Sequence, residues 1–234
     1  MAYLEGKNLV AAYGVVPILH ECSVEVKKGE LAVIVGPNGA GKSTVMRVLL
    51  GMLEATSGSV TLDGKDISML STQERITQGL AFVPQTKNVF PSMTVEENLQ
   101  MGGFIRKDDI SSTIEEVYDL FPVLYEKRKQ LAVQLSGGQR QQVAFGRAMM
   151  TKPSVMLLDE PTAGVSPIVM DEIFSNILDV KNAGMAVLMV EQNAQQALNI
   201  ADKGFVLVSG RNEHTGSGKE LINDREVRKK FLGG

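Results

Sequence analysis

The clearest chemistry in the chain lies at residues 36–43, which read Gly-Pro-Asn-Gly-Ala-Gly-Lys-Ser and fit the pattern G-x-x-x-x-G-K-S/T. Glycines allow backbone N–H groups to approach a polyphosphate closely, and the start of a helix adds further N–H donors. The Lys42 amine can reach the β- and γ-phosphates of a nucleotide, and the Ser43 hydroxyl can bind Mg²⁺. The pattern therefore predicts a nucleoside triphosphate site. We expect it to be lined by Gly36, Pro37, Asn38, Gly39, Ala40, Gly41, Lys42, Ser43 and Thr44.

A second chemical pattern is the acidic pair Asp159 and Glu160, which follows an apolar run at residues 155–158. An acidic pair alone usually marks a solvated turn. Here the apolar run predicts a buried strand, and ligands of open α/β sheets bind beyond the carboxyl ends of the strands. We therefore expect Asp159 to hold Mg²⁺ through a coordinated water. We expect Glu160 to orient or deprotonate the water that attacks the γ-phosphate.

A third pattern reads Leu-Ser-Gly-Gly-Gln at residues 135–139 and precedes a predicted helix that runs to Met150. Taken alone, Ser136 is best explained as an ordinary helix N-cap followed by flexible glycines. Exposed N–H groups and a hydroxyl at a helix start can also bind a phosphate, as in the first pattern. Residues 135–139 by themselves leave both interpretations open.

The elements that position these patterns alternate between strands and helices, with one interruption. Apolar or alternating runs predict strands at residues 7–13, 23–26, 31–35, 58–63, 81–84, 155–158, 186–190 and 205–208. Helical spacing predicts helices at residues 44–50, 167–182 and 194–201. Between about residues 92 and 151 helical spacing dominates, and Thr94 to Glu97 resembles a capped helix start. This order predicts an α/β fold: a mostly parallel sheet covered on both faces, with a smaller helical lobe inserted.

The composition indicates a globular chain without a strong electrostatic field. The 234 residues suggest one large domain, or one domain with an inserted lobe. The formal charge of −3 offers no basic field, so we expect no nucleic-acid partner. No apolar run approaches the roughly 18 residues needed to cross a bilayer, and the N-terminus lacks the core of a signal peptide. Because Cys22 is the single cysteine, we expect no disulfide framework and a reducing compartment.

The three patterns, in this order and spacing, resemble the ATP-binding cassette (ABC) family over essentially the whole chain, and residues 135–139 resemble its signature motif. The resemblance implies a single ABC nucleotide-binding domain over residues 1–234. Its parts would be a P-loop NTPase core, an antiparallel β subdomain and a helical subdomain inserted at residues 86–151. It also implies a homodimer, or a heterodimer with a homologous ATPase, in which the signature covers the ATP of the other subunit. The signature residues expected to do so are Ser136, Gly137, Gly138 and Gln139.

Two further site residues follow from the resemblance. Tyr13 matches the aromatic residue that stacks on adenine, and simple strand packing is the alternative. Gln85 matches the glutamine that touches Mg²⁺ and links the core to the helical subdomain. Residues 86–90, just after it, would line the groove that grips a permease.

Two positions depart from the family pattern. Gln192 stands where most relatives have a histidine that contacts the γ-phosphate. A glutamine can still donate a hydrogen bond there but cannot titrate, so we expect no histidine step in the pH profile of hydrolysis. Ser166 stands where relatives often have an aspartate that contacts the other subunit. In a heterodimer each ATP site would contain residues of both subunits. These two departures leave open which of the two sites hydrolyses ATP faster.

Four short segments are similar to the shorter ATPase of importers for branched-chain amino acids: residues 160–162, 164–168, 190–193 and 231–234. That similarity implies a peripheral ATPase at the cytoplasmic face of the membrane, using ATP and Mg²⁺ to energise uptake of leucine, isoleucine or valine. Its partners would be a homologous ATPase, two integral-membrane permease subunits and, indirectly, an extracytoplasmic solute-binding protein. Importers of other amino acids, amides or urea are the alternative, followed by a soluble ABC ATPase without a transport role.

Overall fold

An antiparallel sheet forms the first part of the chain in the computed structural model, which describes residues 2–231. Its strands are β1 (Leu4–Tyr13), β2 (Val16–Val26), β4 (Ser57–Leu62) and β5 (Lys65–Asp66), in the order β2-β1-β4-β5. A turn at Asp63 and Gly64 joins β4 to β5, and its two residues have positive φ angles of 49° and 74°, as a tight hairpin turn requires. The predicted strands at residues 7–13, 23–26 and 58–63 are confirmed, and the first two are longer than expected.

A larger, mostly parallel sheet forms the centre of the molecule. Its strands are β3 (Leu31–Val35), β6 (Leu80–Val83), β7 (Val155–Asp159), β8 (Ala186–Val190), β9 (Lys203–Val208) and β10 (Arg211–Gly216). They lie in the order β10-β9-β3-β8-β7-β6, and β10 pairs antiparallel with β9 while the other pairs are parallel. Strand β10 was not predicted from the sequence, because this edge strand alternates exposed and half-buried residues without an apolar run.

Helices cover both faces of the parallel sheet, as the alternating order predicts. They are α1 (Lys42–Leu49), α2 (Thr72–Thr77), α7 (Pro167–Asn182), α8 (Ala194–Ile200), α9 (Gly218–Asn223) and α10 (Arg225–Phe231). The central strand β3 shows why both faces need cover: Leu31, Val33 and Val35 enter one hydrophobic cluster, whereas Ala32 and Ile34 enter the other. The helices at residues 44–50, 167–182 and 194–201 are confirmed to within two residues.

The segment between β6 and β7 is helical, which confirms the predicted interruption. It contains α3 (Val95–Gly102), α4 (Ser111–Leu120), α5 (Pro122–Glu126), a 3₁₀ turn (Ala132–Gln134) and α6 (Gly137–Met149). The capped start of α3 is also confirmed, since Thr94 and Glu97 exchange side-chain and backbone hydrogen bonds. Fully buried Leu99, Leu124 and Phe145 pack these helices together. Within residues 2–231, none of the helices combines the length and the apolar character that crossing a bilayer requires.

Candidate functional site

The predicted phosphate loop joins β3 to α1, so a buried strand and a buried helix hold its two ends. Gly36 has a φ of 150°, and a Cβ there would lie 2.2 Å from the Leu207 carbonyl oxygen, so the loop can approach β9 only with glycine. Gly39 has a φ of 80°, and among the described residues a Cβ there would meet nothing within 4 Å. The tip of the loop is therefore open to a ligand.

The Lys42 amine is held inside this loop. The side chain is 5% exposed, and Nζ donates to the carbonyl oxygens of Gly36 at 2.9 Å and Pro37 at 3.3 Å. Burial lowers the pKa of Lys42, and the charges of Glu160, Asp159 and Glu191 act against that shift. The amine is thus a buried cation whose hydrogen bonds go to neutral carbonyl oxygens. A phosphate can replace these acceptors, because a hydrogen bond between two charged groups is stronger.

The start of α1 offers further donors. Gly41 is the N-cap, no side chain in the described part of the chain caps it, and the first turn has no acidic residue. Its backbone N–H groups are therefore available to an anion. Among the other predicted loop residues, Pro37, Asn38 and Ser43 are exposed, whereas Ala40 and Thr44 are buried.

The acidic pair lies at the carboxyl end of β7, as predicted. Asp159 Oδ1 is buried and has no hydrogen-bond partner among the described residues. Burial and the neighbouring Glu160 charge raise the pKa of Asp159, while Arg47 and Lys42 lower it. Glu160 has a positive φ of 45°, an unusual conformation for a residue with a Cβ that is found at active sites. Gln85 Nε2 donates to Glu160 Oε2 at 3.0 Å, so the structure brings together Gln85, Asp159 and Glu160.

The end of β8 adds Gln192 and also Glu191, which was not predicted from the sequence as a site residue. Gln192 is exposed at this edge, whereas Glu191 beside it is 1% exposed. Burial raises the pKa of Glu191, and hydrogen bonds from Thr162, Gln192 and Asn193 act against that shift. A signal for Glu191 did exist, because it directly follows a buried apolar run in the same way that Asp159 does.

These residues converge because three neighbouring strands run parallel. β3, β8 and β7 are adjacent in the sheet, and Asp159 lies in register with Val190. The carboxyl ends of parallel strands meet at one edge. Lys42, Glu160 and Gln192, from three distant parts of the sequence, are therefore brought to a single edge of the sheet.

Tyr13 lies at the end of β1, with 42% of its surface exposed. Arg47 of α1 donates from Nη1 to the Tyr13 hydroxyl at 2.9 Å, and its guanidinium carbon lies 5.8 Å from the ring centroid. The ring is therefore tied to the helix that follows the phosphate loop, and it remains accessible for stacking. No signal in the sequence distinguished Arg47 from any other exposed helical arginine.

The signature residues lie in a different place. Ser136 is the N-cap of α6: its hydroxyl accepts from the Gln139 N–H at 3.2 Å, and its N–H donates to Gln139 Oε1 at 3.1 Å. Of the two interpretations of residues 135–139, the structure of the single chain shows the serine N-cap. Within residues 2–231, no side-chain hydrogen bond of Ser136 or Gln139 reaches the phosphate loop. Gly138 faces α7, where a Cβ would lie 2.3 Å from the Glu172 carboxylate.

Known proteins resemble this chain in sequence and in fold. The family model of the ABC transporter matches residues 19–163. BraG, a high-affinity branched-chain amino acid transport ATP-binding protein of Pseudomonas aeruginosa, is 44% identical over 223 residues, which cover 95% of this chain and 96% of BraG. LivF, a probable branched-chain amino acid transport ATP-binding protein of Archaeoglobus fulgidus, is 39% identical over 228 residues, 97% of each chain. The crystal structure of the ADP conformation of MJ1267, an ATP-binding cassette of an ABC transporter, covers 100% of both chains with a TM-score of 0.90 and 30% identity.

The fold and the site together define a nucleotide-binding P-loop ATPase domain. The chain belongs to the ABC transporter family. The predicted fold class and the predicted family are therefore confirmed. The segment at residues 231–234, which entered the comparison with the shorter importer ATPases, extends beyond the described residues after Phe231.

Proposed function

We propose that this chain is the ATP-hydrolysing subunit of an importer for branched-chain amino acids. One observation carries the enzymatic part: the parallel strands bring Lys42, Glu160 and Gln192 to one edge of the sheet. The solute is supported by BraG and LivF, whose names give branched-chain amino acid transport and which align over nearly their whole length.

The site residues have separate roles in this proposal. The loop amides and Lys42 bind the β- and γ-phosphates, and Tyr13 stacks on adenine. Glu160 accepts a proton from water as the water oxygen attacks the γ-phosphorus, and the bond from that phosphorus to the β–γ bridging oxygen breaks to release ADP. Gln85 holds the Glu160 carboxylate, and the Gln192 amide donates a hydrogen bond to the γ-phosphate.

The residues present also fit a magnesium ion. Asp159 Oδ1 is a buried carboxylate oxygen without a partner among the described residues, which is costly unless a cation or a water satisfies it. Mg²⁺ prefers oxygen ligands. Ser43 carries a hydroxyl in the phosphate loop, and Gln85, which is hydrogen-bonded to Glu160, carries an amide oxygen. Mg²⁺ bound by Ser43, Gln85 and Asp159 would neutralise charge on the phosphates.

The second half of each ATP site comes from another subunit. Within residues 2–231 the side-chain hydrogen bonds of Ser136 and Gln139 are made to each other. The first-turn N–H groups of α6, at Gly137 and Gly138, can cover a nucleotide on a partner. We therefore propose a dimer, with a second copy or a homologous ATPase, in which Ser136, Gly137, Gly138 and Gln139 close each site.

In this proposal the helical subdomain, residues 86–151, contacts the permeases and moves when the dimer closes. A cavity of about 240 Å³ lies between the core and this subdomain, and Lys87, Asn88, Met101 and Arg147 are among its lining residues. Asn88 is bonded to α6 through Gln141 Oε1 at 3.0 Å and through the Arg147 guanidinium. Helix α6 begins at the signature and lines this cavity. Closure of the dimer at the signature would therefore also move the cavity, which we propose as the groove for the permease. Two permease subunits at the cytoplasmic face of the membrane would dock here, with a solute-binding protein on the opposite face.

The test is reconstitution of the chain with its permeases and binding protein in liposomes. Leucine, isoleucine or valine should stimulate ATP hydrolysis, and Lys42→Ala should abolish the stimulation while exposed Lys65→Ala does not. Stimulation by an amide, urea or another amino acid instead would assign the chain to a related importer. Hydrolysis without any permease association would contradict a transport role.

A further inference from the structure

A buried carboxylate connects two loops of the site. Glu191 Oε1 accepts hydrogen bonds from the Thr162 N–H at 3.0 Å and from the Thr162 hydroxyl at 2.8 Å. Oε2 accepts from the Gln192 N–H at 3.1 Å. Glu191 and Thr162 are 1% and 3% exposed. Both carboxylate oxygens are therefore occupied, and the group is shielded from the solvent that a catalytic base would have to activate.

The partners of Glu191 show what it connects. Thr162 lies two residues after Glu160, in the loop that leaves β7, and Gln192 is the first exposed residue after β8. The Glu191 backbone is itself fixed, since its N–H donates to the Ile34 carbonyl of β3 at 3.1 Å. Glu191 thus connects three adjacent strands: its side chain holds the loops after β7 and β8, and its backbone holds β3.

Keeping a charge at this position costs free energy, which indicates a role beyond filling space. A buried carboxylate is tolerated only when hydrogen bonds satisfy it, and in the described part of the chain no lysine, arginine or histidine forms an ion pair with Glu191. An apolar residue would avoid the cost of desolvating a charge here, but it could not accept hydrogen bonds from the loops after β7 and β8. Three charge-assisted hydrogen bonds give this contact a defined geometry.

We propose that Glu191 is a positioning residue for ATP hydrolysis: it fixes the loop of Glu160 against Gln192, so that the base and the γ-phosphate donor keep one mutual geometry. The inference rests on the proposed roles of Glu160 and Gln192. It differs from them because both Glu191 carboxylate oxygens accept from protein donors, so the residue acts by holding Thr162 and the backbone of Gln192 and not as a base.

The variants Glu191→Gln and Thr162→Val test this in the purified full-length chain. Glutamine keeps an acceptor for Thr162 but turns an N–H group toward the Gln192 N–H, and valine removes only the hydroxyl donor. We expect kcat to fall about 10- to 100-fold in Glu191→Gln, the cost of a small misplacement of reacting groups, with KM for ATP unchanged. Thr162→Val should lose less, and Thr162→Ser should restore wild-type kcat because it retains both donors.

Leu62→Ala is the matched control, since it opens a cavity in the antiparallel sheet and destabilises the fold away from the site. It should lower Tm while leaving kcat unchanged at temperatures where the protein is folded. In a double variant Glu191→Gln/Thr162→Val, kcat should fall below that of Glu191→Gln alone, because the two changes break different hydrogen bonds of the same side chain.

The outcomes separate the inference from the proposed function. If Glu191→Gln keeps wild-type kcat, or raises KM as loss of Lys42 would, the positioning role is overturned while the ATPase assignment stands. If the wild-type chain does not hydrolyse ATP, or if Glu160→Gln turns over at the full rate, the proposed function itself fails.

Discussion

Asp159 and Glu160 are neighbours in the chain but have different surroundings. Asp159 has a buried oxygen without a partner among the described residues, and its pKa is raised by burial first and by the Glu160 charge second. Glu160 instead accepts a hydrogen bond from Gln85, at a backbone φ of 45°. Their different surroundings favour different roles: Asp159 for a cation, and Glu160 for the attacking water.

Replacing Glu160 with glutamine should remove turnover without removing nucleotide binding. The amide has nearly the same shape and can still accept from Gln85, but it cannot take a proton from water. We expect the variant to accumulate as an ATP-bound dimer, seen by size-exclusion chromatography with retained nucleotide. A variant that remains monomeric with ATP, or hydrolyses it normally, would remove Glu160 from the role of base.

Replacing Gln192 with histidine should add a titrating step to the pH profile of kcat. Glutamine does not titrate, so the wild-type profile should lack a step near about 6.5, the ordinary pKa of histidine, and the variant should show one. Gln192→Asn is the non-titrating control and should change the rate without adding the step. Identical profiles for the wild type and Gln192→His would show that this residue does not contact the reacting phosphate.

At the scale of elements, the capping of each helix determines whether its first-turn N–H groups are available to a ligand. Three helices, α2, α3 and α9, begin with a serine or threonine and a glutamate that cap each other. The helix of the phosphate loop, α1, begins without such a cap in the described structure, and buried Arg75 donates to the Val48 and Leu49 carbonyls at its other end. A cation at the C-terminus and free N–H groups at the N-terminus suit a helix that binds phosphate.

The capping box of α3 makes a prediction about pH. The pKa of Glu97 lies below its ordinary value of 4.5, because the Thr94 N–H and then the Thr94 hydroxyl donate to its carboxylate. Charged Glu97 therefore stabilises the folded state above pH 4.5, and this contribution is lost as the pH falls through the lowered pKa. Glu97→Gln keeps the acceptor but cannot titrate.

Thermal melts of the wild type and Glu97→Gln should therefore converge as the pH falls below 4.5, because only the wild type loses this cap. Helix α6 provides an internal comparison, since Ser136 is capped by Gln139, which has no charge to lose. If Tm changes with pH in the same way for both proteins across this range, the charge of Glu97 makes no measurable contribution to stability.

At the scale of the whole molecule, two hydrophobic clusters on opposite faces of the parallel sheet hold the site together. Cys22 lies within the cluster beneath the antiparallel sheet and is 0% exposed. Burial raises the pKa of its thiol to about 12, so at neutral pH it is neither accessible nor ionised. Reaction of this single thiol with an alkylating reagent therefore requires the fold to open.

Labelling of Cys22 should thus report global unfolding and its suppression by nucleotide. At a ligand concentration of 100 times Kd, binding adds about 2.7 kcal/mol, which should slow labelling about 100-fold. The experiment is alkylation followed by mass spectrometry, with and without ATP, and Cys22→Ala as the blank. Rapid labelling that ATP does not affect would show that the antiparallel sheet opens independently of the site.

Much of this molecule was predictable because its central elements carry strong local patterns. Strand β3 is a run of five buried apolar residues, and α7 begins and ends at the predicted residues, Pro167 and Asn182. The edge strand β10 escaped prediction because a half-exposed edge places polar residues at most positions. Arg47 escaped because its role depends on Tyr13, 34 positions away, which local spacing does not reveal.

The amino-acid sequence by itself determined the chemistry: a glycine-rich loop ending in Lys42, an acidic pair after an apolar run, and a non-titrating Gln192 at the end of another strand. Only the tertiary structure decided how these parts meet, because the order of parallel strands places β3, β8 and β7 side by side. It also revealed the buried hydrogen bonds of Glu191 with Thr162, 29 positions apart in the chain. Contacts of that kind arise from strand pairing across a sheet, and the spacing of residues along one segment carries no record of them.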